Sequence, residues 1–419
     1  MSPSNELLPA LRILHTADWH LGRMLYGRRR YDEFEAFLNW LTQTLEKERI
    51  DALVVAGDIF DTGTPSNRAQ ELYYQFLCRV AASPCRHVVV TAGNHDSPSF
   101  LEAPKELLKA LRVYVVGACP SNLGDEILVL TTAEGTPQAV VAAVPYLRDR
   151  DLRTVEAGES LEDKDRKLAQ GLQNHYAQVC LLADEKRRSL DVEVPLIAMG
   201  HLFCAGGQTV EGDGVRELYV GTLAHVGPET FPPSVDYLAL GHLHVVQTVG
   251  GVASRRYSGS PLPMGFGEVK QEKSVCVVEF SGRTARVRTV PVPRFQSLAR
   301  LVGGWQTLSQ ELTQLVMENE SVWVELIYED AQPAENLRQR IDDLVADSKV
   351  EVLRVKNRQI TERVMRRAKA QESLEELTEV QVFERCLDAN EVPAERREGL
   401  FAAYGEIVLS LKHDDVNAS

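Results

Sequence analysis

The sequence predicts an α/β chain: a two-sheet sandwich flanked by helices, then a small α+β unit, then a C-terminal helical pair. Three observations carry this. From residue 11 to residue 91, apolar runs alternate with helix-period stretches in β-α-β-α-β order, which builds a parallel sheet covered by helices. A second series of apolar runs between residues 113 and 290 supplies enough strands for a second sheet. Past Pro291-Val292-Pro293 the character changes to a compact α+β pattern of about sixty residues, and two amphipathic helices follow.

A chain of 419 residues exceeds one ordinary core, on a prior of roughly 100–200 residues per domain. Four segments are expected: a main domain over 1–291, an α+β unit over 292–356, a basic linker over 357–371 and tail helices over 372–419. No run approaches the roughly 20 apolar residues that span a bilayer, and the N-terminus lacks a basic segment followed by an apolar one. A cytoplasmic protein without membrane contact is therefore expected. The cysteines (Cys78, Cys85, Cys119, Cys180, Cys204, Cys276 and Cys386) are scattered and lack C-x-x-C spacing, which suits reduced thiols rather than a disulfide framework or a cysteine zinc site. The net charge of −14 argues against a surface coated in phosphate contacts. It leaves nucleic acid open, because binding follows the local patch.

The first strand is expected over 11–17, with Asp18-Trp19-His20 at its C-terminal end. Residues two apart on an extended segment project to the same side, so this carboxylate and imidazole can reach one ion. A basic, aromatic turn follows, with Arg23, Tyr26 and Arg28-Arg29-Arg30; it reads either as a solvated loop or as phosphate contacts. Phe34, Phe37, Leu38, Leu41 and Leu45 recur at three and four, predicting an amphipathic helix over 31–49. The second strand, 52–56, runs into Gly57-Asp58-Ile59-Phe60-Asp61. A helix over 66–82 leads to a third strand, 88–91, and then to Gly93-Asn94-His95-Asp96. An amide, an imidazole and a carboxylate after a turn-making glycine are poor core material and good metal-site material.

A short helix over 103–110 precedes strands at 113–116, 127–130 and 140–144, and a polar helix spans 161–184. The strand pattern then repeats: 196–199 ends in Gly200-His201, and 237–240 ends in Gly241-His242-Leu243-His244. The glycine-rich stretch 205–221 between them reads as a mobile surface loop. Strands near 245–249, 255–257, 274–280 and 285–290 are expected to complete the second sheet. The α+β unit comprises helix 305–317, strand 322–328, helix 334–346 and strand 350–355. Arg354, Lys356, Arg358, Arg363, Arg366, Arg367 and Lys369 form a basic connector. One tail helix carries Leu374, Leu377, Val380, Phe383 and Leu387, and the other carries Leu400, Phe401, Tyr404, Ile407, Val408 and Leu411. These faces either pack on the chain's own domains or dock a partner.

The polar strand ends gather the chemistry: Asp18, His20, Asp58, Asn94, His95, His201, His242 and His244. A single histidine at such a place is more often structural than a ligand. Here five of the ten histidines follow apolar strands directly, each beside a glycine or a second polar ligand. Mixed nitrogen and oxygen donors without thiolate favour Mn²⁺, Fe²⁺ or Zn²⁺ over a structural zinc site. A carboxylate shared by two ions can hold them about 3.5–4 Å apart, the spacing that clamps an in-line phosphoryl displacement. A water acidified by both ions is then the expected nucleophile, since no Ser, Cys or Asp stands in a nucleophile-elbow context.

Taken in order, Asp18-x-His20, Gly57-Asp58-x-x-Asp61, Gly93-Asn94-His95-Asp96, Gly200-His201 and Gly241-His242-x-His244 resemble the five motifs of the calcineurin-like metallophosphoesterases. The stretches 13–22, 54–63 and Tyr257-Ser258-Gly259-Ser260-Pro261 are similar, within that superfamily, to the SbcD-type nuclease subunits. The resemblance implies a two-sheet metallophosphoesterase sandwich over 1–291, a capping domain over 292–356 that helps position DNA, and tail helices that bind the coiled-coil base of a partner ATPase. It implies that Asp18, His20 and His244 hold one ion, that Asn94, His201 and His242 hold another, and that Asp58 bridges them. His95 would act on the leaving 3′ oxygen or the transition-state phosphate without touching metal. Asp61 and Asp96 would orient the site, with a plain Asx turn as the alternative for either.

The implied activity is a Mn²⁺-dependent DNA nuclease with two ions per chain, Mg²⁺ or Fe²⁺ being alternatives. It would be a 3′→5′ exonuclease on double-stranded ends and an endonuclease on hairpins and single strands, acting in DNA repair, replication and recombination. The implied assembly is a heterotetramer of two nuclease and two SbcC-type ATPase chains, with the nucleases paired through helices 31–49 and 66–82. This chain has no G-x-x-x-x-G-K-[ST] loop of its own. Competing readings are a small-molecule phosphodiesterase or phosphatase of the same superfamily, and a DNA-end tethering scaffold.

Overall fold

The computed structural model describes residues 11–154, 159–204, 207, 226–330 and 336–357, together with 383, 384, 387, 397, 399–401 and 404. The glycine-rich stretch 205–221 apart from Gly207, the connector from 358 onward and most of the tail helices lie outside the described residues. The chain divides into two compact units: Met1–Leu25 with Arg29–Phe295, and Tyr26–Arg28 with Gln296–Ser419. Among the described residues no helix is long and apolar enough to cross a membrane.

The first unit begins as expected, with β1 (Leu11–Thr16), α1 (Tyr31–Lys47), β2 (Ala52–Ala56), α2 (Asn67–Ala81), β3 (His87–Thr91) and β4 (Val113–Val116). The four strands are parallel neighbours in that order. Ser66 caps α2 by accepting the Ala69 amide, which satisfies one of the free N–H groups of the first turn. The helix expected over 103–110 is α4 (Lys105–Ala110), and a further short helix, α3 (Pro98–Glu102), precedes it. Pro104 separates them, having no N–H with which to continue the ladder.

The second sheet has the order β5-β6-β7-β8-β10-β9, from β5 (Ile127–Thr131), β6 (Pro137–Ala143), β7 (Leu196–His201), β8 (Tyr237–Gly241), β9 (Gln247–Val249) and β10 (Val252–Tyr257). Helices α5 (Asp149–Leu152) and α6 (Leu161–Arg188) lie between β6 and β7 in the chain. One expectation fails here. The last two strands, β11 (Ser274–Ser281) and β12 (Thr284–Pro291), join the first sheet, where β11 runs antiparallel to β1 with Leu11 opposite Phe280 and His15 opposite Cys276. The physical reason is edge closure: β11 pairs with the side of β1 that the parallel series leaves open, and β12 then presents an alternating, partly charged edge with Arg286 and Arg288.

Period-2 alternation builds the core. Leu53 and Val55 face the helices, where Phe34, Phe37, Leu38, Leu41 and Leu45 of α1 are buried; Ala52, Val54 and Ala56 face the other way and meet Val141, Ala143, Ile197 and Met199 of the second sheet. Each large side chain so buried contributes about 1.5–3 kcal/mol relative to exposure. Leu172, Tyr176, Val179 and Ala183 of α6 cover the far face of the second sheet. Sandwiched in this way, the parallel strands deliver their carboxyl ends, and the polar motifs after them, to one edge.

The second unit is a parallel sheet, β13 (Ser297–Gly303), β14 (Val322–Tyr328) and β15 (Val350–Asn357), with α7 (Trp305–Glu318) and α8 (Leu337–Val345) as crossovers. Strand β13 falls outside the expected elements because its run shows no strict alternation; its apolar residues range from buried Leu298 to exposed Val302. Glu325 is fully buried and meets Arg300 at 2.6 Å, with Arg354 and Lys356 each at 3.5 Å. The described start of the basic connector is thus already engaged by a carboxylate. Of the tail, Phe383 stacks on Tyr404 at 4.0 Å between centroids and meets Phe401 edge-on at 5.4 Å.

Candidate metal centre

The polar motifs converge through an unusual backbone. Asp18 and His20 lie beyond the end of β1 in the left-handed region, at φ +55° and +48°, so period-2 alternation along a strand is not what brings them together. Their amides instead donate to Gly57 and Asp58 carbonyls at 3.0 Å each, tying the first motif onto the second. Asp58 (φ +50°) and His242 (φ +98°) are also left-handed. Each such residue costs about 1–3 kcal/mol, and strain of this kind clusters at functional sites. Gly93 is required by close approach: a Cβ there would collide with the Asp58 carboxylate and amide.

Two groups of donor atoms result. In the first, ligand atoms of Asp18, His20 and His244 lie within 4.8 Å of one another, and the two histidine Nε2 atoms face each other at 3.2 Å. In the second, Asn94 Oδ1 is 3.0 Å from His201 Nε2 and 2.9 Å from His242 Nδ1. Asp58 Oδ2 stands between the groups, 3.6 Å from His20 Nε2 and 3.3 Å from His201 Nε2. Apart from Asn94, all of these residues are buried.

The donor set fits divalent cations. His201 donates its Nδ1–H to the Ala56 carbonyl at 2.9 Å, which makes Nε2, facing the Asn94 and Asp58 oxygens, the nitrogen that can exchange a proton for a cation. Asp18 Oδ2 is buried without a hydrogen-bond partner. Burial alone would lower His201, but Asp58 outweighs it and raises the ring to about 9. Burial likewise opposes His244, yet Glu268 and Asp18 raise it above its ordinary value. Burial holds His20 down at about 4 and, with the charge on His201, His242 at about 3. Without a cation, then, His201 carries the added proton on Nε2, and a cation would displace it, as metal ligation requires.

His95 is placed differently, half-buried at the rim beside Asn94. Its amide donates to Asp58 Oδ1 at 2.9 Å, and its ring Nδ1–H donates to the Asp61 carbonyl at 2.8 Å. Nε2 is therefore the nitrogen able to exchange a proton. The Asp61 carboxylate is 3.5 Å from His20 Nδ1 and accepts from Arg23 at 3.1 Å. Asp96 does more than an Asx turn: its oxygens accept the amides of Ile59 (3.1 Å), Phe60 (2.9 Å) and Gly93 (2.8 Å), binding the second and third motifs together. Burial, with Asp58 nearby, pushes it up to about 7.

Some readings change. Arg30 is not a phosphate contact: it is buried, paired with Glu33 at 2.7 Å and donating to the Pro263 carbonyl at 2.8 Å. Sequence reasoning missed Glu268 and Lys273, which lie behind His244: among the charged residues Glu268, Lys270, Glu272 and Lys273, nothing in the sequence marks the two that the fold buries. A separate group, Cys119, Glu126 and His175, also brings three ligand atoms within 4.8 Å of one another, away from the polar motifs; His175 Nε2 lies 3.0 Å from Glu126, and burial, with Glu126 and Asp151, pushes the Cys119 thiol up to about 11.

Comparison with known proteins agrees with this geometry. The sequence profile of the calcineurin-like phosphoesterases matches residues 11–246, and that described as the type 5 capsule protein repressor C-terminal domain matches residues 294–391. The SbcD subunit of the SbcCD nuclease of Escherichia coli (strain K12) is 37% identical over 398 residues, covering 93% of this chain and 96% of its own length. The Rhodobacter capsulatus protein of the same name is 38% identical over 299 residues, covering 70% of this chain and 71% of its own. The chain is a metal-dependent phosphodiester hydrolase that belongs to the calcineurin-like phosphoesterases, in the branch of the SbcD nuclease subunits.

Proposed function

We propose that the chain cuts DNA as the nuclease half of a two-component machine. Asp18, His20 and His244 hold one ion, Asn94, His201 and His242 hold the other, and Asp58 bridges them. The observation that carries this is the Asp58 carboxylate standing within 3.6 Å of a histidine from each group. The ions, Mn²⁺ with Mg²⁺ or Fe²⁺ as alternatives, would supply Lewis-acid polarisation of the scissile phosphate and an acidified water. The chain's own residues do the rest. Asn94 and His95 form the accessible rim where the phosphate arrives. His95, its Nδ1 fixed by the Asp61 carbonyl, gives a proton from Nε2 to the leaving 3′ oxygen or holds a phosphate oxygen there. Asp96 and Asp61 keep the motifs in register.

The substrate is DNA, degraded 3′→5′ from double-stranded ends and nicked at hairpins and single strands, in repair, replication and recombination in the cytoplasm. The relatives named as a subunit of a nuclease complex support this. The unit over 292–356 caps the site, and the residues from 372 dock a coiled-coil SbcC-type ATPase, joined through the linker 357–371. Two such chains pair through α1 and α2, whose Trp40 and Tyr74 are only partly buried, and two ATPase chains complete the assembly.

A cleavage assay tests the reading, using a 3′-labelled duplex, a hairpin and a small phosphodiester, each with Mn²⁺, Mg²⁺, Fe²⁺ or EDTA and with or without the ATPase. The expected result is release of label from the duplex and nicking of the hairpin in Mn²⁺, and neither in EDTA. Hydrolysis of the small ester alone would favour a small-molecule phosphodiesterase, and DNA binding without any cleavage would favour a tethering scaffold.

A further inference from the structure

We propose that Glu268 is a positioning residue for His244, held in place by Lys273 and by the loop that starts at Ser258. The proposal rests on the reading of His244 as a metal ligand. His244 is fastened at both ends. Its ring turns Nε2 toward His20 at 3.2 Å, and its other nitrogen, Nδ1, lies 3.8 Å from Glu268 Oε1. At that distance the contact is electrostatic rather than a formed hydrogen bond. Its carbonyl accepts the Lys273 ammonium at 3.0 Å and the Ser260 amide at 3.2 Å.

Glu268 and Lys273 are built into the fold behind the site. Glu268 is fully buried; its Oε2 pairs with Lys273 Nζ and accepts the Met264 amide at 3.1 Å. Lys273 also donates to Ser260 Oγ at 2.9 Å. Gly259, at φ +72°, lets this loop lie flat on residues 244–246, since a Cβ there would come within 2.9 Å of the His244 carbonyl and the Val246 amide. The Tyr257–Pro261 motif thereby acquires a task.

A buried ion pair is weak evidence for stability, because desolvation offsets most of its attraction. Orientation is the better account. A carboxylate behind Nδ1 favours the tautomer with the proton on that nitrogen, which leaves the Nε2 lone pair for the ion. Loss of such a partner typically weakens metal binding by about 10–100-fold.

The test is a Mn²⁺ titration of the metal-free full chain by calorimetry and chelator competition, for wild type, His244→Ala, Glu268→Gln and the double variant E268Q/K273M. The double variant removes both charges, so no buried lysine is left unpaired. Wild type is expected to bind two ions and H244A one. E268Q and the double variant are expected to bind two, one of them at least about tenfold more weakly and the other as in wild type. Unchanged affinities, or equal weakening of both ions as general loosening would give, would overturn the proposal. H244A binding both ions like wild type would instead overturn the ligand assignment beneath it.

Discussion

Asp58→Asn is expected to lower Mn²⁺-dependent DNA cleavage by at least about a thousandfold. Asp58 stands between the two donor groups, with Oδ2 at 3.6 Å from His20 and 3.3 Å from His201. Burial would raise its carboxyl, but His201, His20 and His95 outweigh that and hold it well below the usual carboxylate range, so it is anionic at any working pH. Asparagine keeps the shape and the oxygen that accepts the His95 amide, and removes the charge and the shared donor. Loss of several kcal/mol of charge stabilisation corresponds to roughly three decades in rate. Steady-state cleavage of a labelled duplex across a Mn²⁺ series checks this; a loss of less than about tenfold at saturating Mn²⁺ would remove Asp58 from the bridging role.

His95→Ala is expected to reduce cleavage by about 10²–10⁴-fold while both ions still bind, the usual worth of a positioned acid or base. The substitution is well isolated. The bond from residue 95 to Asp58 is made by the main-chain amide and survives in alanine, so only the ring and its bond to the Asp61 carbonyl are lost. Cleavage rate and Mn²⁺ stoichiometry measured on one preparation separate the outcomes. Undiminished cleavage would remove His95 from the chemistry, and loss of an ion would make it a ligand.

The site was legible because its residues are local in sequence: each donor follows an apolar strand within a few positions, beside a glycine or another ligand. How they converge was not. Asp18 and His20 look like alternate residues of a strand, yet their left-handed conformations depend on the Gly57 and Asp58 carbonyls, some 38 residues away. Asp96 reads equally well as a local turn until its oxygens are seen on Ile59 and Phe60. The apolar runs of β11 and β12 identify strands but not which sheet they complete, because pairing with β1 is a property of its open edge. Strand β13 shows the same limit from the other side: partly buried, it lacks the alternation that marks a strand facing water on one side. Glu268 was hidden because, at the end of a short helical turn, it looks like any surface glutamate until the fold encloses it.

The central claim is a two-ion centre built from these residues, and anomalous scattering at the manganese edge from Mn²⁺-soaked crystals tests it most directly. Two peaks about 3.5–4 Å apart are predicted, one among Asp18, His20 and His244 and one among Asn94, His201 and His242, with Asp58 between them. A single peak, or two peaks that Asp58 does not touch, would contradict it.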